Sequence, residues 1–246
     1  MLLAWIIGFS LLGSLGAVGG ASLMLLFPEP IRRRLVPSLV SYATGTLLGA
    51  AFLGMIPNGI RGAPVLHVTT TVLAGIVLFF VLEKLVLWRH CHAARCEVHG
   101  QAGPLILIGD AFHNFVDGMV IAAAFLTSIP LGIAAAFAVI AHEVPQELGD
   151  FGILLDAGYR PGRAFLLNAL SSAATLPGAI IAYFWLAEAR ELVPYILSLS
   201  AASFIYIAVA DLMPSLHQQS TTGAFLRQLV LLLAGIGTIA LFRVAA

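Results

Sequence analysis

Apolar residues fill eight long stretches of this chain, and short segments rich in proline, glycine and charge separate them. Each stretch is close to the ~20 residues that a helix needs to cross a bilayer. The pattern predicts an all-α, polytopic membrane protein whose residues 1–246 form a single transmembrane domain. The predicted helices are approximately 2–27, 36–56, 65–88, 104–127, 130–157, 164–187, 192–213 and 224–242. The first is too long for a signal-peptide core, so we expect it to remain in the mature protein.

Two stripes of polar residues interrupt the fourth and fifth predicted helices. The first stripe is Asp110, His113, Asn114 and Asp117, and the second is His142, Glu143, Gln146, Glu147 and Asp150. Spacings of three, four and seven residues put side chains on one helical face. The connection at residues 127–130 is so short that the two helices must be antiparallel neighbours. We therefore expect the two stripes to lie close together.

Polar stripes inside lipid need a compensating partner. One charge at the bilayer centre costs roughly 2.5–3.5 kcal/mol on insertion scales. Carboxylates, imidazoles and amides are all donors to a divalent metal, so we predict a metal site between helices 4 and 5. A single histidine could instead hydrogen-bond a neighbouring helix. Asp110, Glu147 and Asp150 lie nearer the helix ends, where they could contribute to a second site, line a pathway, or only cap and solvate those ends.

Composition and charge agree with a membrane protein. Hydrophobic residues make up 60% of the chain and charged residues 10%, with a mean hydropathy of +1.01. A soluble domain is about 25% charged. The net charge of zero gives no basic patch that would suggest nucleic acid as a partner.

The lysines and arginines predict the orientation, because cytoplasmic loops carry an excess of them. One side of the predicted bundle holds nine of the twelve: Arg32, Arg33, Arg34, Lys84, Arg89, Arg95, Arg160, Arg163 and Arg227. The other side holds Arg61, Arg190 and Arg243. We expect the first side to be cytoplasmic, with both termini outside, and we expect the protein to lie in the cell membrane.

The only two cysteines lie in the loop between the third and fourth helices. With neighbouring histidines they form one candidate set: His90, Cys91, His92, Cys96 and His99. One hypothesis is that the two cysteines form a disulfide. A reduced loop that holds metal transiently is favoured if the loop faces the cytoplasm, and a plain linker is the third alternative.

The order of the polar residues resembles the signature of the ZIP family of metal-ion transporters. In that family the fourth helix carries an HNFxDG-type sequence, and one large branch carries HExPxExGD in the fifth. The corresponding segments here are His113-Asn114-Phe115-Val116-Asp117-Gly118 and His142-Glu143-Val144-Pro145-Gln146-Glu147-Leu148-Gly149-Asp150-Phe151. The ends of the third and seventh helices, residues 79–84 and 204–214, are also similar to that branch.

This resemblance implies that the chain is one transporter domain that takes up a divalent metal into the cytoplasm. Zinc is the usual substrate, with Cd²⁺, Fe²⁺ and Mn²⁺ as alternatives, and no catalytic cofactor is expected. By motif position, the main site would be lined by His113, Asp117, His142, Glu143 and Gln146. Asn114, Asp117 and Glu143 would lean toward an adjacent second site. The family also implies a homodimer and an elevator-like movement.

Two positions depart from the family pattern or extend it. The branch has histidine where this chain has Gln146, and an amide is a weaker, neutral oxygen ligand. In the sixth helix, Asn168 is a polar residue from which a second-site ligand could come.

Two other functions fit parts of the sequence. The segment His142-Glu143-Val144-Pro145-Gln146 is similar to the H-E-x-x-H motif of zinc metalloproteases, but Gln146 replaces the second histidine and a proline interrupts it. Alternatively, Asp117 and Glu143 could relay protons in a proton-coupled carrier or channel for another substrate. The clustered histidines and amides favour a metal, and we expect a transporter, not an enzyme.

Overall fold

The computed structural model describes residues 1–90, 102–217 and 221–244, and every element within them is helical. The eight long helices are α1 (Leu2–Leu25), α2 (Glu29–Gly62), α3 (Val65–His90), α4 (Ala102–Thr127), α5 (Ile129–Asp156), α6 (Pro161–Glu188), α7 (Arg190–Leu216) and α8 (Thr222–Val244). In the described ranges, seven of them are long and apolar enough to cross a membrane. The exception is α4, which carries the first polar stripe. The predicted all-helical architecture with eight long helices is confirmed.

The second helix is longer than its sequence pattern predicted. It begins at Glu29 rather than near residue 36, with Pro28 as its N-cap and Pro30 in its first turn. Proline suits this position because a first-turn residue needs no N–H partner. The segment Pro28-Glu29-Pro30, predicted as a connection, therefore starts the helix, and residues 32–34 belong to its opening turns.

Two π-helical turns were not predicted. They span Ala50–Met55 in α2 and Ile207–Leu212 in α7, and each is followed two residues later by a proline, Pro57 or Pro214. In an ordinary α-turn a proline ring clashes with the carbonyl four residues earlier. A π turn is wider and often lies near a functional site. The segment 57–59, predicted to join two helices, consequently continues α2 to Gly62.

Helices α4 and α5 form the centre of the bundle. Helix α4 packs against α5 and α6, while α1 packs against α5, α2 against α8, and α3 against α7. The α4–α6 crossing depends on glycine: a Cβ on Gly118 would lie 1.9 Å from the Thr175 carbonyl oxygen, and one on Gly178 would lie 2.1 Å from that of Phe115. Small residues let helix backbones approach this closely in a membrane.

The predicted antiparallel pairing of the two striped helices is present. Helix α4 ends at Thr127 and α5 begins at Ile129, and the Ser128 hydroxyl caps α5 by accepting from the Leu131 N–H. Alanines fill the contact between their apolar halves, all of them fully buried or nearly so: Ala122, Ala123, Ala124, Ala134, Ala135, Ala136 and Ala138. This close approach places the two polar stripes side by side.

Candidate metal site

Four side chains from the two stripes meet in the interior of the bundle. Helix α4 contributes His113 and Asp117, one turn apart, and α5 contributes His142 and Glu143. Asp117, His142 and Glu143 are at most 1% exposed, whereas the His113 side chain is 21% exposed. Because each side chain offers a metal-ligating atom, we refer to this group as the histidine cluster.

The spacing of the donor atoms in the histidine cluster suits a tetrahedral metal. The Nε2 atoms of His113 and His142 are 3.2 Å apart, and each lies 3.4 Å from Glu143 Oε1. Asp117 Oδ2 lies 3.1 Å from His142 Nε2 and 3.8 Å from His113 Nε2. Ligands about 2.0–2.1 Å from zinc give tetrahedral edges of about 3.3 Å. The four atoms can therefore bind one zinc ion with small adjustments.

Neighbouring groups orient His142 for ligation. Its Nδ1 donates to the Ala138 carbonyl oxygen at 2.9 Å, which leaves Nε2, the atom that faces the cluster, with a lone pair for a metal. The Phe204 ring of α7 packs edge-on against this imidazole, with centroids 6.0 Å apart, and is fully buried. Phe204 lies in residues 204–214, a segment that resembles the ZIP branch, but nothing in the sequence indicates that this ring contacts His142.

A second group, here called the carboxylate cluster, contains Asp110, Glu143 and Glu147. One oxygen of each lies within 4.8 Å of the others, and all three side chains are buried. Glu143 is common to both clusters. Asp110 lies three residues before His113 and Glu147 four residues after Glu143, so the carboxylate cluster lies about one helical turn from the histidine cluster.

The amides predicted as ligands have protein partners. Asn114 donates to Asp110 Oδ1 at 3.0 Å, and its oxygen accepts from the Thr175 hydroxyl at 2.9 Å. Gln146 donates to the same Asp110 oxygen at 3.3 Å. Asn168 is buried and donates to the Glu147 carbonyl oxygen at 3.1 Å. Their roles as metal ligands stay predictions. Asn114 and Gln146 contact the Asp110 carboxylate, whereas Asn168 contacts the backbone of Glu147.

A break in α6 supplies Thr175. The helix runs as Pro161–Ser172 and Thr175–Glu188, and Thr175 opens the second part. Sequence reasoning missed Thr175, because one threonine among many apolar residues does not indicate a neighbouring polar site. Its contact with Asn114 depends on the close crossing of α4 and α6.

A cavity of 720 Å³ reaches the site from one end of the bundle. Its inner lining includes Asp110, His113, Gln146 and Asp150. Toward the end of the bundle it is lined by Val36, Leu82, Ser203, Tyr206, Asp211 and Ser215. Asp150 thus lies on the cavity wall, and Asp211, an acidic residue in an apolar segment, joins it from α7.

The remaining sequence candidates lie outside the described residues: Cys91, His92, Cys96, His99 and the side chain of His90.

Comparison with known proteins identifies the family. The family described as ZIP Zinc transporter matches residues 89–243, which is well over half of the chain. This chain belongs to the ZIP zinc transporter family. The metalloprotease alternative is set aside, since ZIP proteins are transporters and not enzymes.

Individual ZIP relatives align over most of this chain. Zinc transporter ZIP13 of Pongo abelii is 32% identical over 95% of this chain and 77% of its own length. The ZIP13 homolog of Drosophila melanogaster is 28% identical over 94% of this chain and 87% of its own length. Zinc transporter ZIP4 of Mus musculus is 41% identical over a shorter part, 46% of this chain and 17% of its own length. The chain is thus a multi-pass membrane protein of the ZIP family.

Proposed function

We propose that this protein carries zinc across a membrane into the cytoplasm, with residues 1–246 acting as one transport domain. The observation that supports this most strongly is the donor spacing in the histidine cluster, where five of the six interatomic edges lie between 3.1 and 3.8 Å. Two imidazoles and two carboxylates form a ligand set that zinc accepts readily. The membership of the ZIP family supports zinc as the cargo.

The cavity supports a direction of release. Its lining residues lie near the start of α2, the ends of α3, α5 and α7, and the start of α4, all at the same end of the bundle. By the sequence, nine of the twelve lysines and arginines belong to segments on that side of the membrane, which favours the cytoplasm. We therefore assign the described conformation as inward-facing, with both termini outside the cytoplasm and the protein in the cell membrane.

The direct test is zinc uptake into liposomes that contain the purified protein. We expect His113→Ala to reduce uptake to the level of protein-free liposomes, because the cluster loses one of its two nitrogen donors. His217→Ala is a matched control, since His217 is exposed and lies outside both clusters. If correctly inserted His113→Ala protein takes up zinc at the wild-type rate, the metal site does not include α4.

The orientation and the assembly have separate tests. Membrane-impermeant thiol reagents should leave Cys91 and Cys96 unlabelled in intact cells if their loop is cytoplasmic. Labelling from outside would reverse the proposed topology.

A homodimer is proposed from the family resemblance, and native mass spectrometry of the detergent-solubilised protein should give twice the 25.9 kDa mass of one chain.

A further inference from the structure

A cavity of 590 Å³, separate from the metal site, lies between the opening turns of α2 and α8. Three arginines from the two helices meet there, and within the described part of the chain no acidic side chain lines it. The lining residues are Pro30, Arg33 and Arg34 at the start of α2, and Thr221, Gly223, Ala224 and Arg227 at the start of α8. We refer to this space as the arginine cavity.

One of the three arginines has an acidic partner on its own helix. Arg33 Nε donates to Glu29 Oε1 at 2.8 Å, and both side chains are exposed. Arg34 is also exposed, and it forms no ion pair with any carboxylate of the described residues. Arg227 approaches the same space from α8 and is half-buried. The arginine cavity therefore favours an anion.

The two helices hold the arginine cavity at a fixed depth. A Cβ on Gly45 would lie 2.1 Å from the Leu232 carbonyl oxygen, and one on Gly235 would lie 2.3 Å from that of Tyr42, so the backbones of α2 and α8 are in close contact. The long apolar stretches of these helices begin near residues 36 and 224. The arginines consequently lie at the boundary between the apolar part of the bundle and water, where lipid phosphates lie.

An apolar surface continues from the arginine cavity along α8. Phe225, Leu226, Leu229 and Val230 follow Gly223 within two turns, and each is 41% to 63% exposed. A free phosphate ion has no use for such a surface. A phospholipid whose phosphate occupies the cavity would lay an acyl chain along it, and burial of apolar groups would add to the affinity.

We propose that the arginine cavity binds the phosphate of an anionic phospholipid from the leaflet at this end of the bundle. Arg34 and Arg227 supply guanidinium groups, which donate two parallel hydrogen bonds to a phosphate. Basic pockets between membrane helices recognise anionic lipid headgroups in this way. The first turn of α8, which includes Gly223, adds backbone N–H groups that point toward the cavity end of the helix.

The test is native mass spectrometry of the full-length protein in neutral detergent, titrated with dioleoylphosphatidylglycerol. Parallel titrations use dioleoylphosphatidylcholine, whose headgroup has no net charge, and inorganic phosphate. The variant is Arg34→Gln/Arg227→Gln. The matched control is Arg160→Gln/Arg163→Gln, which removes two exposed arginines from the start of α6 on the same side of the membrane and leaves the arginine cavity intact.

We expect the wild type to bind one phosphatidylglycerol at least about 10-fold more tightly than phosphatidylcholine, and the double variant to lose about 10-fold or more of that affinity. The control should stay within about 2-fold of the wild type. Circular dichroism checks the fold, and Arg34→Gln alone, with an expected loss of about 5-fold, replaces the double variant if that variant misfolds.

Four results would each overturn the proposed lipid site. The first is unchanged phosphatidylglycerol affinity in a folded variant. The second is an equal loss in the control, which would mean that any positive charge on this side of the membrane attracts the lipid. The third is equal binding of phosphatidylcholine. The fourth is displacement of the lipid by millimolar inorganic phosphate, which would make the cavity a site for the free ion.

Discussion

The α4–α5 pair has two halves of opposite character. One half carries the carboxylates, imidazoles and amides of the two polar stripes, and four of these residues line a cavity of 720 Å³: Asp110, His113, Gln146 and Asp150. In the other half, residues 120–125 and 134–139 are almost entirely apolar and nearly all buried. An ion in the histidine cluster therefore has a polar route to one end of the bundle and tightly packed alanines and Phe125 toward the other. An ion could reach the histidine cluster from that other end only if the packed half separated or moved.

The largest expected effect comes from the residue shared by both clusters. Glu143→Gln removes the charge that contacts His113 and His142 and also one of the three carboxylates of the second cluster. We expect zinc uptake into liposomes to fall to background. Glu188→Gln serves as the control. If Glu143→Gln protein still transports zinc at the wild-type rate, the polar half of the pair does not carry the ion.

Acidification should weaken zinc binding strongly. An imidazole must be neutral to bind a metal, and its ordinary pKa is about 6.5, so protons compete with zinc increasingly below that pH. Between pH 7.5 and 5.5 we expect roughly a 10- to 100-fold loss of zinc affinity in equilibrium dialysis. A binding constant that does not change over this range would exclude histidine ligation.

A change at Gln146 should sharpen the difference between the two clusters. Gln146→His adds an imidazole one turn after His142 and removes an amide that donates to Asp110. We expect zinc affinity to rise by about 10-fold and discrimination against Mn²⁺ to increase, since a nitrogen donor replaces an oxygen donor. Slower zinc release could lower turnover. Competition binding by Zn²⁺, Mn²⁺, Fe²⁺ and Cd²⁺ measures this effect, and an unchanged preference profile would mean that residue 146 does not touch the ion.

The packed half can be perturbed without changing any ligand. A Cβ on Gly132 would lie 2.2 Å from ring atoms of Phe125, which is 2% exposed. Gly132→Ala should therefore destabilise the fold by about 1–3 kcal/mol, with zinc affinity close to that of the wild type. Thermal unfolding of the purified protein measures the first effect. Gly237→Ala is the matched control, because nothing lies within 4 Å of a Cβ there. A large loss of zinc affinity in Gly132→Ala would show that the packing of the apolar half also determines the geometry of the metal site.

The sequence by itself determined the membrane architecture and the composition of the site. The bilayer requires long, mostly apolar helices, and this requirement is local, so eight helices could be predicted from the apolar stretches, even though the polar stripe makes α4 less apolar than the other seven. Helical periodicity is local as well, and it placed Asp110, His113 and Asp117 on one face. The short connection at Ser128 was enough to make α4 and α5 neighbours. The family motifs added zinc as the cargo, which the pattern of residues did not specify.

Only the tertiary structure decided which of these groups meet. Helical spacing fixes a face but not the depth or rotation of one helix against another, so it could not show that Glu143 contacts both histidines while Glu147 lies with Asp110. The glycine-dependent approach of α6 brings Thr175 to Asn114, and α7 brings Phe204 against His142. These contacts join residues far apart in the chain. Their geometry depends on how whole helices pack, and packing is a property of the complete bundle.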